Sequence, residues 1–539
     1  VNVFSMLSWV PMCAFRACHM LTAQAFEHWA AHPQQRVALS WVRIPPEWQS
    51  DCLRFIGQHC RNVRQLAVRD TAHFGERELL RLVCGMRLME SLQVDGSSFG
   101  AGFPDPQRLF GRLAKYCPRL QHIAMSFRPD MPSQRVVFEV RSLACLGRRL
   151  LTLDLGAVAV RIFGGSCTIA TCCPQLQRLS VQLHQQFQPD VVDPNDIAQG
   201  CPIQDMDLAP VDWSDLILEN FVTQAPNLRR LVLRHIAPHA TAMLLVPLVA
   251  ISRSLEASGL LHLHLALHAR SDPVRAAEWL QAISHLHLRS LCLDYAAPLL
   301  LTEVISAVLG DGGMDGSLTS LTIHGCHAVN DEALEELTVS FARLEQVRFF
   351  PDSWRGVGTA TTEGVQLMVD RLPLRGLALS SQNPMEVTFD GRVLMRSLSL
   401  FAPLSNAALT AERCNGWRCL SYLWLGPHKL MQRGVGAECG IDDEGIDFIA
   451  SACTLLQDLT VASFHLTDAS VDSCVRRLRE LRRLRLSGAI TDECFQLLRS
   501  VAKQPRLESF SLWFSGVTPA ALEQARWDMP WTYFDVELE

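Results

Sequence analysis

A short apolar pattern repeats along most of this chain and constrains its fold more than any other feature. The pattern is apolar-x-x-apolar-x-apolar, as in Val63-Arg64-Gln65-Leu66-Ala67-Val68. It returns 26 residues further on at Met89, and the frames that begin at Leu150 and Leu176 are separated by the same interval. A fixed period in this range predicts a solenoid, in which each repeat packs only on its neighbours.

Eighteen such frames can be read along the chain, and a weaker one lies at Val37–Val42. From Val63 to Trp531 they span 468 residues in 17 intervals, a mean of about 27.5. Leucine-rich repeats have 20–29 residues, each with one strand and, in the longer ones, a helix. We therefore predict an α/β leucine-rich-repeat solenoid, a horseshoe of about 18 repeats with a parallel β-sheet on the concave face and helices on the convex face. The frames begin at Val63, Met89, Leu120, Leu150, Leu176, Ile203, Leu228, Leu260, Leu288, Leu318, Leu344, Leu374, Met395, Leu420, Leu456, Leu481, Leu507 and Trp531.

The segments between the frames favour helices. Asn330–Leu337 begins with capping residues and places apolar residues at 3–4 spacing, and Ile441–Ile449 has the same form. A small residue, often followed by proline, precedes several frames, as at Cys117-Pro118, Cys173-Pro174 and Ala225-Pro226. A small buried residue suits a tight passage from helix to strand, and proline ends the helix.

These features carry a resemblance to a known family. The chain repeats Cys-x-x-Leu-x-x-Leu-x-Leu, then a loop, then (Ile/Leu)-(Thr/Asp)-Asp-x-(Gly/Ala)-(Leu/Ile/Val), with close matches at Val329–Leu334, Ile441–Ile446 and Ile490–Phe495. In this respect residues 37–539 resemble the cysteine-containing class of leucine-rich repeats. The resemblance implies a fold, but a fold does not define a function.

Residues 1–36 do not follow the repeat, and their apolar spacing predicts two or three short helices. One interpretation is a helical cap on the end of the solenoid. The other is the second half of an F-box, which the segment resembles in Arg16-Ala17-Cys18, Trp29 and His32-Pro33. The Leu-Pro-x-Glu helix that opens an F-box is absent, and the first residue is Val1, so we expect a chain that is processed or incomplete there.

Together the two parts resemble the F-box/leucine-rich-repeat proteins. This resemblance implies that Arg16, Cys18 and Trp29 belong to a segment that docks a Skp-type adaptor, and through it a cullin. The implied function is a non-catalytic substrate-recognition subunit of a cullin-type ubiquitin ligase. The alternative is a scaffold subunit of a large assembly with no ubiquitin role.

Composition excludes several other classes. Lys plus Arg number 49 and Asp plus Glu 55, so the net charge is −6 and a general nucleic-acid or acidic-membrane binder is not expected. The 19 cysteines fall mostly at repeat-periodic positions, which predicts reduced, buried thiols and an intracellular protein, cytoplasmic or nuclear, with an organellar location left open by the N-terminus. Their spacing matches no zinc site, so no metal and no cofactor is predicted.

Two further patterns argue against other roles. The chain has no Gly-x-Ser-x-Gly, His-Glu-x-x-His or Walker sequence, so we expect no enzymatic activity. No apolar run reaches the roughly 18–20 residues that span a bilayer, so no membrane span is predicted.

The residues between the apolar positions of each frame should lie on the concave face, because side chains alternate along a strand. In the C-terminal third these residues become aromatic or basic, the types enriched in binding hot spots. A register error of one residue would bury them instead. We predict a partner-binding surface formed by Phe350, Phe401, Tyr422, Trp424, Arg483, Arg485 and Trp513.

Charged residues on two frames in the middle of the chain have a plainer interpretation. Asp205 and Asp207 precede Arg230 and Arg234 by one repeat, which predicts a cross-strand ladder of ion pairs. The alternating histidines at 262, 264, 285 and 287 are expected to face solvent, since no carboxylate or cysteine in the pattern completes a metal site.

Overall fold

Each predicted frame is a β-strand in the structure, which is a computed structural model. The chain forms two compact units, unit 1 (Val1–His268) and unit 2 (Ala269–Glu539). The residues that the structure describes are 36–40, 61–69, 76–97, 106–127, 138–161, 172–183, 202–209, 225–236, 255–267, 280–281, 283–294, 301–309, 316–325, 329–350, 358–381, 383–386, 395–409, 415–426, 439–501, 507–529 and 532–538.

The strands of unit 1 are parallel, and each pairs with the strand of the next repeat. The weak frame at Val37 is the first of them, and a two-residue strand that the sequence did not predict pairs beside the sixth. They are β1 (Arg36–Ser40), β2 (Gln65–Arg69), β3 (Ser91–Ser97), β4 (His122–Phe127), β5 (Phe138–Glu139), β6 (Thr152–Arg161), β7 (Arg178–Leu183), β8 (Asp205–Ala209), β9 (Arg230–Ile236) and β10 (His262–Leu267).

The strands of unit 2 are also parallel and pair strictly in chain order. Equivalent frame positions lie opposite one another, as Leu321 does with Leu291 and Val347. The strands are β11 (Ser290–Asp294), β12 (Ser320–His324), β13 (Gln346–Phe350), β14 (Gly376–Ser380), β15 (Ser397–Phe401), β16 (Tyr422–Leu425), β17 (Asp458–Ala462), β18 (Arg483–Ser487), β19 (Ser509–Ser515) and β20 (Tyr533–Leu538).

Helices occupy many of the segments between strands, as predicted. Within the described residues of unit 1, the helices include α1 (Glu76–Val83) and α2 (Pro106–Tyr116). Those of unit 2 include α3 (Leu301–Leu309), α4 (Asp331–Ser340), α5 (Thr362–Arg371), α6 (Asp443–Ala452), α7 (Asp468–Arg477), α8 (Glu493–Val501) and α9 (Pro519–Asp528). Among the described residues, no helix is long and apolar enough to cross a membrane.

The segment between β15 and β16 departs from this plan. Its described residues form two 3₁₀ turns, Asn406–Ala408 and Asn415–Cys419, in place of an α-helix. The frame before it is also short, because Leu374 and Met395 are only 21 residues apart. The strands nevertheless stay in phase, with Leu398 opposite both Leu377 and Leu423.

The core is built from the three apolar positions of each frame. Leu318, Leu321 and Ile323 are at most 2% exposed, and the residues between them are half-buried. Leu334 and Leu337 of α4 are fully buried as well. Burying each leucine stabilises the fold by about 1.5–3 kcal/mol, so the repeated frame accounts for a continuous core.

Small residues close the passage from helix to strand, as the sequence indicated. Cys117, Cys173, Ala225 and Cys453 are at most 2% exposed. The backbone N–H of Cys453 donates to the carbonyl of Ile449 and so ends α6. The repeat architecture, with parallel strands at the repeat period and helices between them, is an α/β leucine-rich-repeat solenoid of about 18 repeats.

Candidate functional site

The face of the unit 2 sheet opposite the apolar frame residues carries the predicted binding residues. We call this the open face. In β13 the core residues Val347 and Phe349 are buried, and Arg348 and Phe350 between and after them are half-buried on the open face. The same alternation places Tyr422 and Trp424 of β16 on that face.

Aromatic rings on this face form a continuous row across the strands. The rings of His324 and Phe350 stack at 4.7 Å between centroids, and those of Phe350 and Phe401 lie 5.9 Å apart. Phe401 then meets Trp424 edge-on at 5.1 Å. Edge-to-face and offset contacts of this kind stabilise aromatic pairs by about 0.5–1.5 kcal/mol beyond burial, so the row holds its members in place.

Small residues on β14 and β15 make the row possible. Gly376, Ala378 and Ser380 are the open-face residues of β14, and Ser397 and Ser399 precede Phe401 on β15. None of the five has a side chain large enough to separate Phe350 from Phe401. The two rings therefore meet although β14 lies between their strands.

A polar cluster lies next to the aromatic row. Asp458 of β17, which is 8% exposed, pairs with Arg483 of β18 at 3.4 Å. Burial raises the pKa of the Asp458 carboxyl, against the opposing charges of Arg485 and Arg483. Its other carboxylate oxygen and the hydroxyl of Thr460 are buried without a hydrogen-bond partner among the described residues.

Tyr422 lies on the same strand as Trp424 of the aromatic row and is affected by the charges of the polar cluster around Asp458. Burial raises the pKa of its hydroxyl, and the nearby Asp458 charge adds to the effect. The hydrogen bond with Ser399 and the positive charges of Arg485 and Arg348 act in the opposite direction. Cationic groups on both sides of β16 thus act electrostatically on one phenol.

The seven predicted residues all occupy open-face positions, but they differ in access. Phe401 is only 4% exposed, because Phe350 and Trp424 pack against it. Arg483 is exposed, and Phe350, Tyr422, Trp424, Arg485 and Trp513 are half-buried. Phe401 therefore lies beneath its neighbours, and the other six are at least partly exposed.

The last aromatic residues belong to an irregular strand end. Trp513 lies opposite Ser487, and the register then shifts between Leu512 and Ser515. Phe514 has a positive φ of 52°, which is uncommon for a residue with a bulky side chain, and its ring lies 5.7 Å from that of the exposed Phe464. The bulge thus interrupts the regular alternation of side chains at Trp513 and Phe514.

Sequence reasoning missed two members of this site. Arg348 lies at an open-face position of the same strand as Phe350, and Asp458 occupies the equivalent first position of β17. The frame alone could have identified both. Arg16, Cys18 and Trp29, the predicted adaptor-binding residues, lie outside the described residues.

The predicted charge ladder of unit 1 is confirmed. Arg230 contacts Asp205 at 3.0 Å, and Arg234 binds Asp207 through two nitrogens at 2.9 and 2.6 Å. Arg178 approaches Asp205 from the other side at 3.6 Å. Each of these charged side chains lies in an ion pair, so this region is not the candidate site.

Comparisons with known proteins concern the fold alone. A scan against models of protein families finds no match, and a search of curated proteins finds none. Among solved structures the chain is similar to a chain of the Rad7–Elc1 complex in yeast, with 14% identity and a TM-score of 0.39 over 59% of this chain and 78% of that one.

Two other solved structures show a similar likeness. A leucine-rich-repeat protein of Leptospira interrogans is 13% identical, with a TM-score of 0.27 over 90% of this chain and 98% of that one. TLR13 in its complex with ssRNA13 is 13% identical, with a TM-score of 0.35 over 86% of this chain and 72% of that one. The repeat architecture itself defines the chain as a leucine-rich-repeat protein.

Proposed function

We propose that this chain is a non-catalytic protein-binding protein that holds its partner on the open face of unit 2. The binding surface is the aromatic–arginine patch, which consists of Arg348, Phe350, Phe401, Tyr422, Trp424, Arg483, Arg485 and Trp513. Leucine-rich-repeat solenoids use the strand face as an extended binding surface.

The observation that carries this proposal is the row from Phe350 through Phe401 to Trp424, with an arginine on each side of it. Binding hot spots are enriched in tryptophan, tyrosine and arginine, and they need rigid, packed surroundings. The ring contacts and the buried Phe401 provide that rigidity. A partner would therefore meet a preorganised surface.

Within this class, the chain acts as the substrate-recognition subunit of a cullin-type ubiquitin ligase. This finer proposal is supported by the resemblance of the N-terminal segment, with Arg16, Cys18 and Trp29, to an F-box ahead of cysteine-containing repeats. The N-terminal segment would recruit a Skp-type adaptor and a cullin, and the patch would hold the substrate.

One experiment separates the two levels of the proposal. Tagged full-length chain is purified from its native cells at physiological salt and compared by quantitative mass spectrometry with a deletion of residues 1–36 and with Trp424→Ala/Arg485→Ala. We expect the adaptor and cullin to disappear only with the deletion, and the substrate to disappear only with the double substitution. Arg482→Ala is the control, because Arg482 directly precedes β18 and is paired with Glu508.

The outcomes are distinct. Recovery of a large assembly without adaptor or cullin would overturn the ligase role and leave a scaffold that binds through the patch. If the double substitution retains the same partners as the control, the patch is not the binding surface. Thermal unfolding of each variant confirms that it is folded.

A further inference from the structure

Two arginines of the aromatic–arginine patch, Arg348 and Arg485, form no hydrogen bond and no ion pair within the described residues. The charge of Arg485 nevertheless acts on Asp458, and both charges act on Tyr422. Each guanidinium offers five N–H donors in a planar fork. Their cross-strand neighbours are small and uncharged: Thr322 and Ala378 beside Arg348, and Thr460 and Ser511 beside Arg485.

Other arginines on the strands behave differently. Arg230 and Arg234 are paired with aspartates of the preceding strand, and Arg483 is paired with Asp458. Cross-strand pairing is thus the usual arrangement for a charge on this sheet. Arg348 and Arg485 depart from it, Arg348 on the strand of Phe350 and Arg485 two strands beyond that of Trp424.

The local charge is opposite in sign to that of the chain. The open-face positions of β13 to β19 hold three arginines, Arg348, Arg483 and Arg485, and one carboxylate, Asp458, so their net charge is 3 − 1 = +2. The chain as a whole carries −6. A local positive surface on a negative protein favours an acidic partner by charge complementarity.

We propose that the partner binds this patch through an unmodified acidic segment, in which one carboxylate side chain pairs with Arg348 and another pairs with Arg485. An apolar or aromatic side chain between them packs against Phe350 and Trp424. The inference rests on the proposed binding function and deepens it by naming the chemistry of the partner. Arginine binds carboxylates through two parallel hydrogen bonds, and both arginines are half-buried between small neighbours on the adjacent strands.

The sheet limits how far apart the two acidic residues can be. β13 and β18 are five strand spacings apart, at most about 24 Å at 4.8 Å per strand. An extended segment covers about 3.3 Å per residue, so the two carboxylates belong to residues at most about seven positions apart.

A peptide-display selection tests this directly. Peptides that bind the Arg348→Gln/Arg485→Gln variant are first removed from a random 12-residue library, and the remaining peptides are selected for binding to the unmodified chain. The strongest binders are synthesised, and each Asp or Glu in them is then changed in turn to Asn or Gln. We expect enrichment of acidic pairs within about seven positions around an apolar residue. Each arginine substitution should weaken binding of those peptides about tenfold, and Arg482→Gln should have no effect.

The contrary results are equally clear. Enrichment of neutral or basic peptides, no enrichment at all, or binding that Arg482→Gln weakens as much as Arg485→Gln would overturn the inference. Binding that requires phosphorylated residues at the acidic positions would also overturn it. If the patch variants still lose the native partner in these cases, the binding function stands and only the acidic chemistry fails.

Discussion

Asp468 accepts two hydrogen bonds from Thr491 of the following repeat. The backbone N–H of Thr491 donates to one carboxylate oxygen at 3.0 Å, and its hydroxyl donates to the other at 2.6 Å. Asp468 is the first residue of α7, and Thr491 precedes α8. One side chain thus ties the start of one helix to the start of the next.

The same pairing recurs along unit 2. Asp443 binds the N–H and hydroxyl of Thr467 at 2.9 and 2.6 Å, and Asp492 binds those of Thr518 at 2.7 and 2.8 Å. Thr467 and Thr518 also accept N–H groups of their own helices as N-caps. The Thr-Asp motif of the sequence is therefore a ladder that joins consecutive repeats.

Removing one step of the ladder should weaken the fold. We expect Asp468→Ala to lower the free energy of unfolding by about 1–2 kcal/mol, because two hydrogen bonds to a charged acceptor are lost at a partly exposed site. Urea denaturation measures the change. Asp472→Ala on the same helix, which breaks the exposed ion pair with Arg476, should cost no more than about 0.5 kcal/mol, and equal losses would contradict the ladder.

The residue three positions after Thr361 is a glycine, and the aspartate of the previous repeat lies against it. A Cβ on Gly364 would come within 2.0 Å of the Asp331 Oδ1 atom, which binds Thr361. We expect Gly364→Val to lower the free energy of unfolding by about 1–3 kcal/mol. Gln366→Val in the same helix controls for the helix propensity of valine, and an equal effect of both would refute the steric cause.

The buried carboxyl of Asp458 should make stability depend on pH. Its folded pKa lies above the ordinary value of 3.8, so the folded state binds more protons and stability falls as pH rises from 3.8 through the folded pKa. Asp458→Asn removes this penalty. We therefore expect the free energy of unfolding of the variant, minus that of the wild type, to increase as pH rises across that window. A difference that stays constant or decreases with pH would show that burial does not control the pKa of Asp458.

The buried thiols should be chemically inert in the folded protein. Burial, with the Asp447 charge nearby, raises the pKa of Cys474 to about 12, whereas Cys84 is exposed. At pH 8 iodoacetamide should modify Cys84 and leave Cys474 intact until denaturant is added, because the thiolate is the reactive species. Mass spectrometry of the alkylated peptides gives the two rates, and similar rates in the native protein would be incompatible with a buried Cys474.

Much of the site followed from the periodic pattern. The frame predicted which face of β16 and β18 carries Tyr422, Trp424, Arg483 and Arg485, since side chains alternate strictly along a strand. The irregular interval between Leu374 and Met395 did not disturb this, because the strands keep their register. The frame did not reveal that Phe401 is covered, since coverage depends on rings from two other repeats.

The sequence by itself determined the repeat, the strand positions and the direction of each side chain, because these depend on local periodicity and hydrophobic burial. The tertiary structure alone decided which residues of different repeats meet. Asp468 and Thr491, or Phe350 and Phe401, are 23 and 51 residues apart in sequence and become neighbours only when the strands align. It also decided that Asp458 forms an ion pair with Arg483 and that Arg485, whose charge also acts on Asp458, forms none among the described residues, because pairing depends on side-chain geometry across strands.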